Sequence, residues 1–210
     1  MTGKLTSNGV ALSNPDLRRV VVVGTSCSGK TTLAGRITGE LRVPNIELDA
    51  IHWLPQWQER PLEEFRELTA MAVAEERWVA DGNYTRKVRD IVWGRATSVI
   101  WLNYSFPLVL WRALSRTVRR SFGGQVLYSG NKESLRHAFL SRESIIWWVI
   151  TTFHRRRRAF PAQFQKPEFR HLNVIEFRKQ RDADAFVNSL NDARSTPDES
   201  AMQRGPGNER

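Results

Sequence analysis

The residues best suited to chemistry stand together near the N-terminus: Gly24, Thr25, Ser26, Cys27, Ser28, Gly29, Lys30 and Thr31, followed by Thr32. Their spacing is G-x-x-x-x-G-K-[ST]. Glycines at the two ends let the backbone turn so that successive N–H groups face inward onto phosphate oxygens, and a following helix adds the positive end of its dipole. In such a loop Lys30 reaches the β- and γ-phosphates and the Thr31 hydroxyl ligates Mg²⁺. Cys27 lies inside the loop, either as a small filler or as a thiol whose pKa the helix N-terminus lowers.

Further candidates lie at the ends of other apolar runs. Asp81 closes "WVADG", where an acid on a neighbouring strand would back the Mg²⁺ shell through water; a turn Asp in Asp-Gly is the plainer alternative. Asp49 and His52 stand in "LDAIHW". Asp49 there can orient or deprotonate an acceptor hydroxyl, or cap a turn, and His52 can be a ligand contact or a packing residue. Trp53 and Trp57 can wall a ring or join the core. On a helix over 107–122, Trp111, Leu114, Val118 and Phe122 form an apolar stripe, and Arg112, Arg116, Arg119 and Arg120 form a basic one. Arginines so arranged can clamp phosphates in pairs of hydrogen bonds, with Arg116 and Arg120 the candidates to act on the transferring group; a solvated basic face is the alternative. The glycine-containing stretch after them suits a lid over about 112–140, which would close over the γ-phosphate. The run "HRRRR" at 154–158 leaves room for one arginine to face the site, with the others in solvent.

The elements that must hold these residues alternate. "RRVVVVG" (18–24) reads as a strand buried on both faces. Lys30 to Leu41 reads as a helix with Leu33, Ile37 and Leu41 on one face. Strands follow at 45–49, 78–82, 97–103 and 172–177, with helices over 61–76, 107–122 and 141–158 and from about Asp182. Strands alternating with helices imply a mainly parallel sheet, whose ligands bind beyond the strands' carboxyl ends. The phosphate loop, Asp49, Asp81 and Asn103 should therefore meet in one crevice. The folded domain is expected over 18–191, with disordered tails at 1–17 and 192–210.

The 210 residues suffice for one α/β domain with a core, and 40% of them are apolar. The formal charge of +10 favours anionic partners: nucleotides, nucleic acid or acidic lipid. A single cysteine excludes an intrachain disulfide and fits a reducing compartment. There is no apolar signal segment, and "IIWWVI" is too short to span a bilayer, so a soluble, cytoplasmic protein is expected. No N-K-x-D motif is present to read guanine, and about 170 folded residues leave little room for a motor.

Taken together, "GTSCSGKTTLA", "LDAIHW", "WVADGNY", "VIWLNY", the arginines of 112–120 and "GNKES" resemble the P-loop small-molecule kinases of the adenylate kinase type. The closer resemblance is to bacterial adenylate kinase-like proteins of the DNA topology modulation family. The resemblance covers about residues 20–150. It implies a P-loop NTPase fold of three layers, a sheet of about five parallel strands with helices on both faces, ATP and Mg²⁺ on the loop, a lid carrying arginines, and an acceptor region at 49–66 and 81–89. Asn83 and Tyr84 stand where adenylate kinases carry Phe-Pro, and the nearest arginine, Arg86, is displaced by one place. The leading expectation is thus an ATP-dependent phosphotransferase acting on a small molecule or nucleotide. A nucleic-acid-associated ATPase is the alternative from another class, and a membrane-surface role for the basic helices is a third.

Overall fold

The structure is a computed structural model that describes residues 15–84, 86–123 and 145–195. The unbroken valines Val20 to Val23 have side chains for both faces of a sheet, and they form its centre. β1 (Arg19–Gly24) is flanked by β3 (Trp78–Asp81) on one side and β4 (Ser98–Leu102) on the other. β2 (Asn45–Glu47) and β5 (Asn173–Phe177) form the edges, giving the order β2-β3-β1-β4-β5 with every pairing parallel.

The period of two divides the core into two layers. Val21, Val23, Ala80, Val99 and Trp101 face one side. There they meet Phe65 of α3 (Leu62–Ala72), Trp93 of α4 (Arg89–Arg95), and Phe160 and Phe164 of α6 (Ile145–Phe164). Val20, Val22, Ile100 and Leu102 face the other side. They meet Leu33 and Ile37 of α1 (Lys30–Leu41), Val109 and Ala113 of α5 (Phe106–Gly123), and Ala183 and Val187 of α7 (Gln180–Ser195). This is a three-layer α/β fold. From β1 the chain passes over β3 to reach β2; from β3 it leaves for the opposite side of β1. The crevice between the carboxyl ends of β1 and β3 is where the winding reverses and where ligands of such sheets bind.

Several sequence expectations change. Asp49 does not end a strand: the chain turns helical at Leu48, and Asp49 lies in the first turn of α2 (Leu48–His52). A helix of five residues carries too little period to show in sequence. α4 was likewise not foreseen; only Val92 and Trp93 of its seven residues are buried. On α5 the core-facing residues are Val109, Ala113 and Thr117, while Trp111 is 67% exposed and Val118 46%. Of the apolar stripe read from the sequence, Trp111 and Val118 therefore lie on the outer face and Leu114 is half-buried, while the Phe122 side chain lies outside the described residues. α6 runs on through Pro161 to Phe164, because Phe160 and Phe164 pack on Trp101 and outweigh the lost N–H. The ordered unit begins before 18: the Asp16 carbonyl accepts from Thr97 Oγ1 (2.8 Å) and Ser98 Oγ (2.6 Å), and Leu17 packs on the core. α7 extends to Ser195, past the expected end at 191. The remaining tail residues, the lid from 124 on and residues 141–144 of the expected helix lie outside the described residues. Among the described residues no helix is long and apolar enough to cross a membrane.

Gly82 sets how closely α2 approaches β3. Its φ is +143°, and a Cβ there would stand 2.8 Å from Leu48 Cβ. Gly82→Ala is expected to cost about 1–3 kcal/mol in urea unfolding. In combination with Leu48→Gly the loss should be less than the sum of the two single losses, since the second change removes the Cβ that is struck. Strict additivity would show that the contact is not what matters.

Candidate functional site

The loop after β1 is shaped by three backbone features. Gly24 sits so close to β4 that a Cβ would lie 2.9 Å from the Leu102 carbonyl oxygen. Cys27 (φ +61°) and Gly29 (φ +93°) are left-handed, which turns the intervening N–H groups into a concave nest. No side chain caps the N-terminus of α1 and no acid occupies its first turn, so its positive end is left for a ligand. The hydroxyls of Thr25 and Ser28 are buried without partners. These orphaned donors, the nest and the uncapped helix together fit a polyphosphate.

Lys30 bridges the loop, its Nζ donating to the Thr25 carbonyl at 3.2 Å. Burial depresses its pKa, while Asp49 and Asp81 both favour its charge. Thr31 Oγ1 donates to Asp81 Oδ2 at 2.5 Å. Asp81 is only 4% exposed; burial raises its pKa, against the Thr31 hydrogen bond and the Lys30 charge. No group of three or more His, Cys, Asp or Glu residues able to hold a metal occurs among the described residues. A cation here would have Thr31 and Asp81 from the protein and complete its shell with phosphate oxygens and water, which is how Mg²⁺ is commonly held. Asn83 fastens the loop to β3: its Nδ2 donates to the Gly24 carbonyl (2.6 Å) and its Oδ1 accepts from the Gly24 N–H (3.4 Å).

Across the crevice, Tyr84 donates its hydroxyl to Asp49 Oδ1 at 2.5 Å. Burial, then the Asp49 charge, push the phenol pKa well above its ordinary value, so Tyr84 stays a donor. Its ring packs on His52 (4.5 Å between centroids) and Phe65 (5.2 Å). His52 is 1% exposed, with Nδ1 unpartnered and Nε2 3.5 Å from Lys87 Nζ and 3.6 Å from Glu59 Oε1. Lys87 is itself bound to Glu59 at 2.8 Å. Burial and the Lys87 charge depress the imidazole pKa and outweigh Glu59, so the ring is neutral packing. Trp53 and Trp57 meet edge to face at 5.6 Å beside it, Trp57 exposed.

Of the arginine run, Arg156 is the one that faces the site. It is half-buried, 5.1 Å over the Trp148 ring. Burial and then Arg155 weigh against its charge, and Tyr84 and Asp49 favour it. On α5 it is Arg112 that reaches the loop: it donates to the Ser28 carbonyl at 2.7 Å and to Gln180 Oε1, with its guanidinium 5.0 Å over Tyr104. Arg116 and Arg119 are exposed, and the Arg120 side chain lies outside the described residues. Asn103 does not join the crevice, because its Nδ2 is bound to Glu176 on β5. Sequence reasoning thus brought Lys30, Thr31, Asp49 and Asp81 together correctly. It gave no role to Asn83 or Tyr84, although both follow Asp81 directly, and it could not single out Arg156.

The neutral, buried His52 has a consequence for stability. The unfolded imidazole titrates near its ordinary 6.5 and the folded one lower, so the unfolded state binds more protons as pH falls below 6.5. Stability from this residue is present above 6.5 and declines below it. Urea unfolding at pH 7.5 and 5.5 should show a smaller acid loss for His52→Phe than for the natural chain; an equal loss would place the titration elsewhere.

No protein-family profile matches the chain, and no curated protein matches it. Among solved structures it is similar to shikimate kinase from Bacteroides thetaiotaomicron, with a TM-score of 0.50 and 15% identity over 85% of this chain and 98% of that one. It is also similar to shikimate kinase from Acinetobacter baumannii in complex with shikimate (TM-score 0.46, 14% identity, 86% and 97% covered). A third likeness is to a sugar kinase from Janibacter sp. (TM-score 0.44, 17% identity, 84% and 91% covered). At these identities the likeness is one of fold: the chain shares the three-layer, all-parallel five-stranded architecture of the Bacteroides enzyme.

Proposed function

We propose that the protein is an ATP-dependent phosphotransferase that moves the γ-phosphoryl group of Mg-ATP to a small-molecule or nucleotide acceptor. The observation that carries this reading is the pair of acids fixed at the phosphate loop, Asp81 bonded to Thr31 and Asp49 bonded to Tyr84, both of which favour the charge of Lys30. The nest and Lys30 would hold the β- and γ-phosphate oxygens, and Thr31 and Asp81 the cation. Bound there, Mg²⁺ neutralises charge that develops on the transferring oxygens.

Asp49, held in place by Tyr84, would accept the acceptor hydroxyl's proton as its oxygen bonds to the γ-phosphorus and the bond from that phosphorus to the β,γ-bridging oxygen breaks, releasing ADP. Arg156 puts a partly desolvated positive charge beside Asp49, which suits an acceptor that carries an anionic group. Arg112 fixes the loop, and Arg116 and Arg120, one and two turns further along α5, would close from the lid over the γ-phosphate. The Bacteroides neighbour is named as a shikimate kinase, which agrees with a small hydroxylated acceptor. The adenylate kinase-like resemblance of "LDAIHW" and "DGNY" rests on the same residues, since these segments supply Asp49, Asp81, Asn83 and Tyr84.

A thermal-shift screen of polyols, hydroxy acids and nucleotides with Mg-AMP-PNP present would find the acceptor. With it, Asp49→Asn should lower kcat by about 10²–10⁴-fold and leave AMP-PNP affinity within about twofold. Lys30→Ala should lose both binding and turnover. An unchanged kcat in Asp49→Asn, or unchanged turnover in Lys30→Ala, would overturn the reading.

A further inference from the structure

While Arg156 faces Asp49, its neighbours His154, Arg157 and Arg158 line a different space. With Asn103, Glu176 and Arg178 they line an open cavity of about 500 Å³ between α6 and the carboxyl-terminal ends of β4 and β5. The phosphate loop does not line it. Its wall contains a buried acid whose charge is already met: Glu176 accepts from Arg178 Nε at 2.7 Å and Nη2 at 3.4 Å, and from Asn103 Nδ2. Neither Arg157 nor Arg158 has a carboxylate within ion-pair distance among the described residues. The Arg157 guanidinium lies 6.0 Å over the Phe153 ring instead.

Three guanidiniums and an imidazole thus surround a single carboxylate, and among the described residues two of the guanidiniums have no carboxylate partner. Paired guanidinium forks recognise an oxyanion in two parallel hydrogen bonds. Asn103 is only 6% exposed and its Oδ1 has no donor. Its Nδ2 is committed to Glu176, so an amide flip would set two acceptors against each other. A hydroxyl or amine close to the oxyanion would supply the missing donor. Pro161, also on the wall, has no N–H, so the Arg157 carbonyl one turn earlier lacks its usual helical donor and is a second acceptor for such a group.

We infer that this cavity is a second binding site, separate from the phosphate loop and from the Asp49 pocket, for a small oxyanion-bearing metabolite that also carries a hydroxyl or amino group. The site does not depend on the chain's being a phosphotransferase.

The test is calorimetric titration of the full chain, its loop saturated with Mg-AMP-PNP, with inorganic phosphate and separately with malonate. Saturable binding is expected for at least one: phosphate alone assigns a phosphorylated ligand, malonate alone a carboxylated one. Arg157→Ala/Arg158→Ala should weaken that binding by about tenfold or more. Arg158→Ala alone, a change at an exposed position, should act in the same direction. Arg77→Ala/Arg170→Ala removes equal charge from other exposed positions and should leave affinity within about twofold. AMP-PNP affinity should be unchanged in all of these variants. Absence of saturable binding, or equal affinity in Arg157→Ala/Arg158→Ala, would overturn the site. Loss of binding in Arg156→Ala but not in Arg157→Ala/Arg158→Ala would also overturn it, placing the anion in the Asp49 pocket.

Discussion

The parallel pairing of β1 with β3 is the constraint on which the crevice depends. Its register sets Val22 beside Asp81, so that the acid ends its strand level with the start of the phosphate loop. Two links then lock the junction: Thr31 to Asp81, and Asn83 to both backbone groups of Gly24. A slip of one residue would turn Asp81 to the other face of the sheet and bring Ala80 or Gly82 to its place. The valines of β1 prevent that slip, because their alternate side chains belong to two separate, fully buried layers. Apolar packing on both faces fixes the position of a polar site that packing itself does not touch.

The electrostatics of the crevice follow from how little water reaches it. Burial works against the charge on Lys30, Asp81 and Arg156 alike. Neighbours oppose that effect: the two acids favour the charge of Lys30, Thr31 and Lys30 favour that of Asp81, and Asp49 favours that of Arg156. Groups held in this way are set before a ligand arrives, and they act more strongly on it than exposed ones would. The aromatic box of His52, Phe65 and Tyr84 serves the same end by packing rather than charge: it fixes the phenol that holds Asp49.

Much of this was legible in the sequence because burial leaves a period. The β-branched run of β1 and the 3.6-residue period of Lys30–Leu41 are constrained on every turn, and α1 has those bounds. α2 and α4 were not legible, since five and seven residues carry too little period to stand out from a loop. A stripe on α5 could be read, but not which side of it meets the sheet; Val109, Ala113 and Thr117 are buried while Trp111 faces outward. Arg156 could not be told from Arg155, Arg157 and Arg158 by type. Only the path of α6 between the Asp49 pocket and the β5 edge separates their surroundings. Asn103 was read by its position at a strand end, and the partner that draws it away, Glu176, lies 73 residues further along the chain.

The proposed function requires a Mg²⁺–polyphosphate site at the β1–β3 junction, built on Thr31 and Asp81. The most direct measurement is AMP-PNP affinity with and without Mg²⁺, in the natural chain and in Asp81→Asn. Mg²⁺ should tighten binding to the natural chain, and most of that enhancement should vanish in Asp81→Asn while metal-free binding persists. An equal Mg²⁺ enhancement in both proteins would contradict a cation site at Asp81.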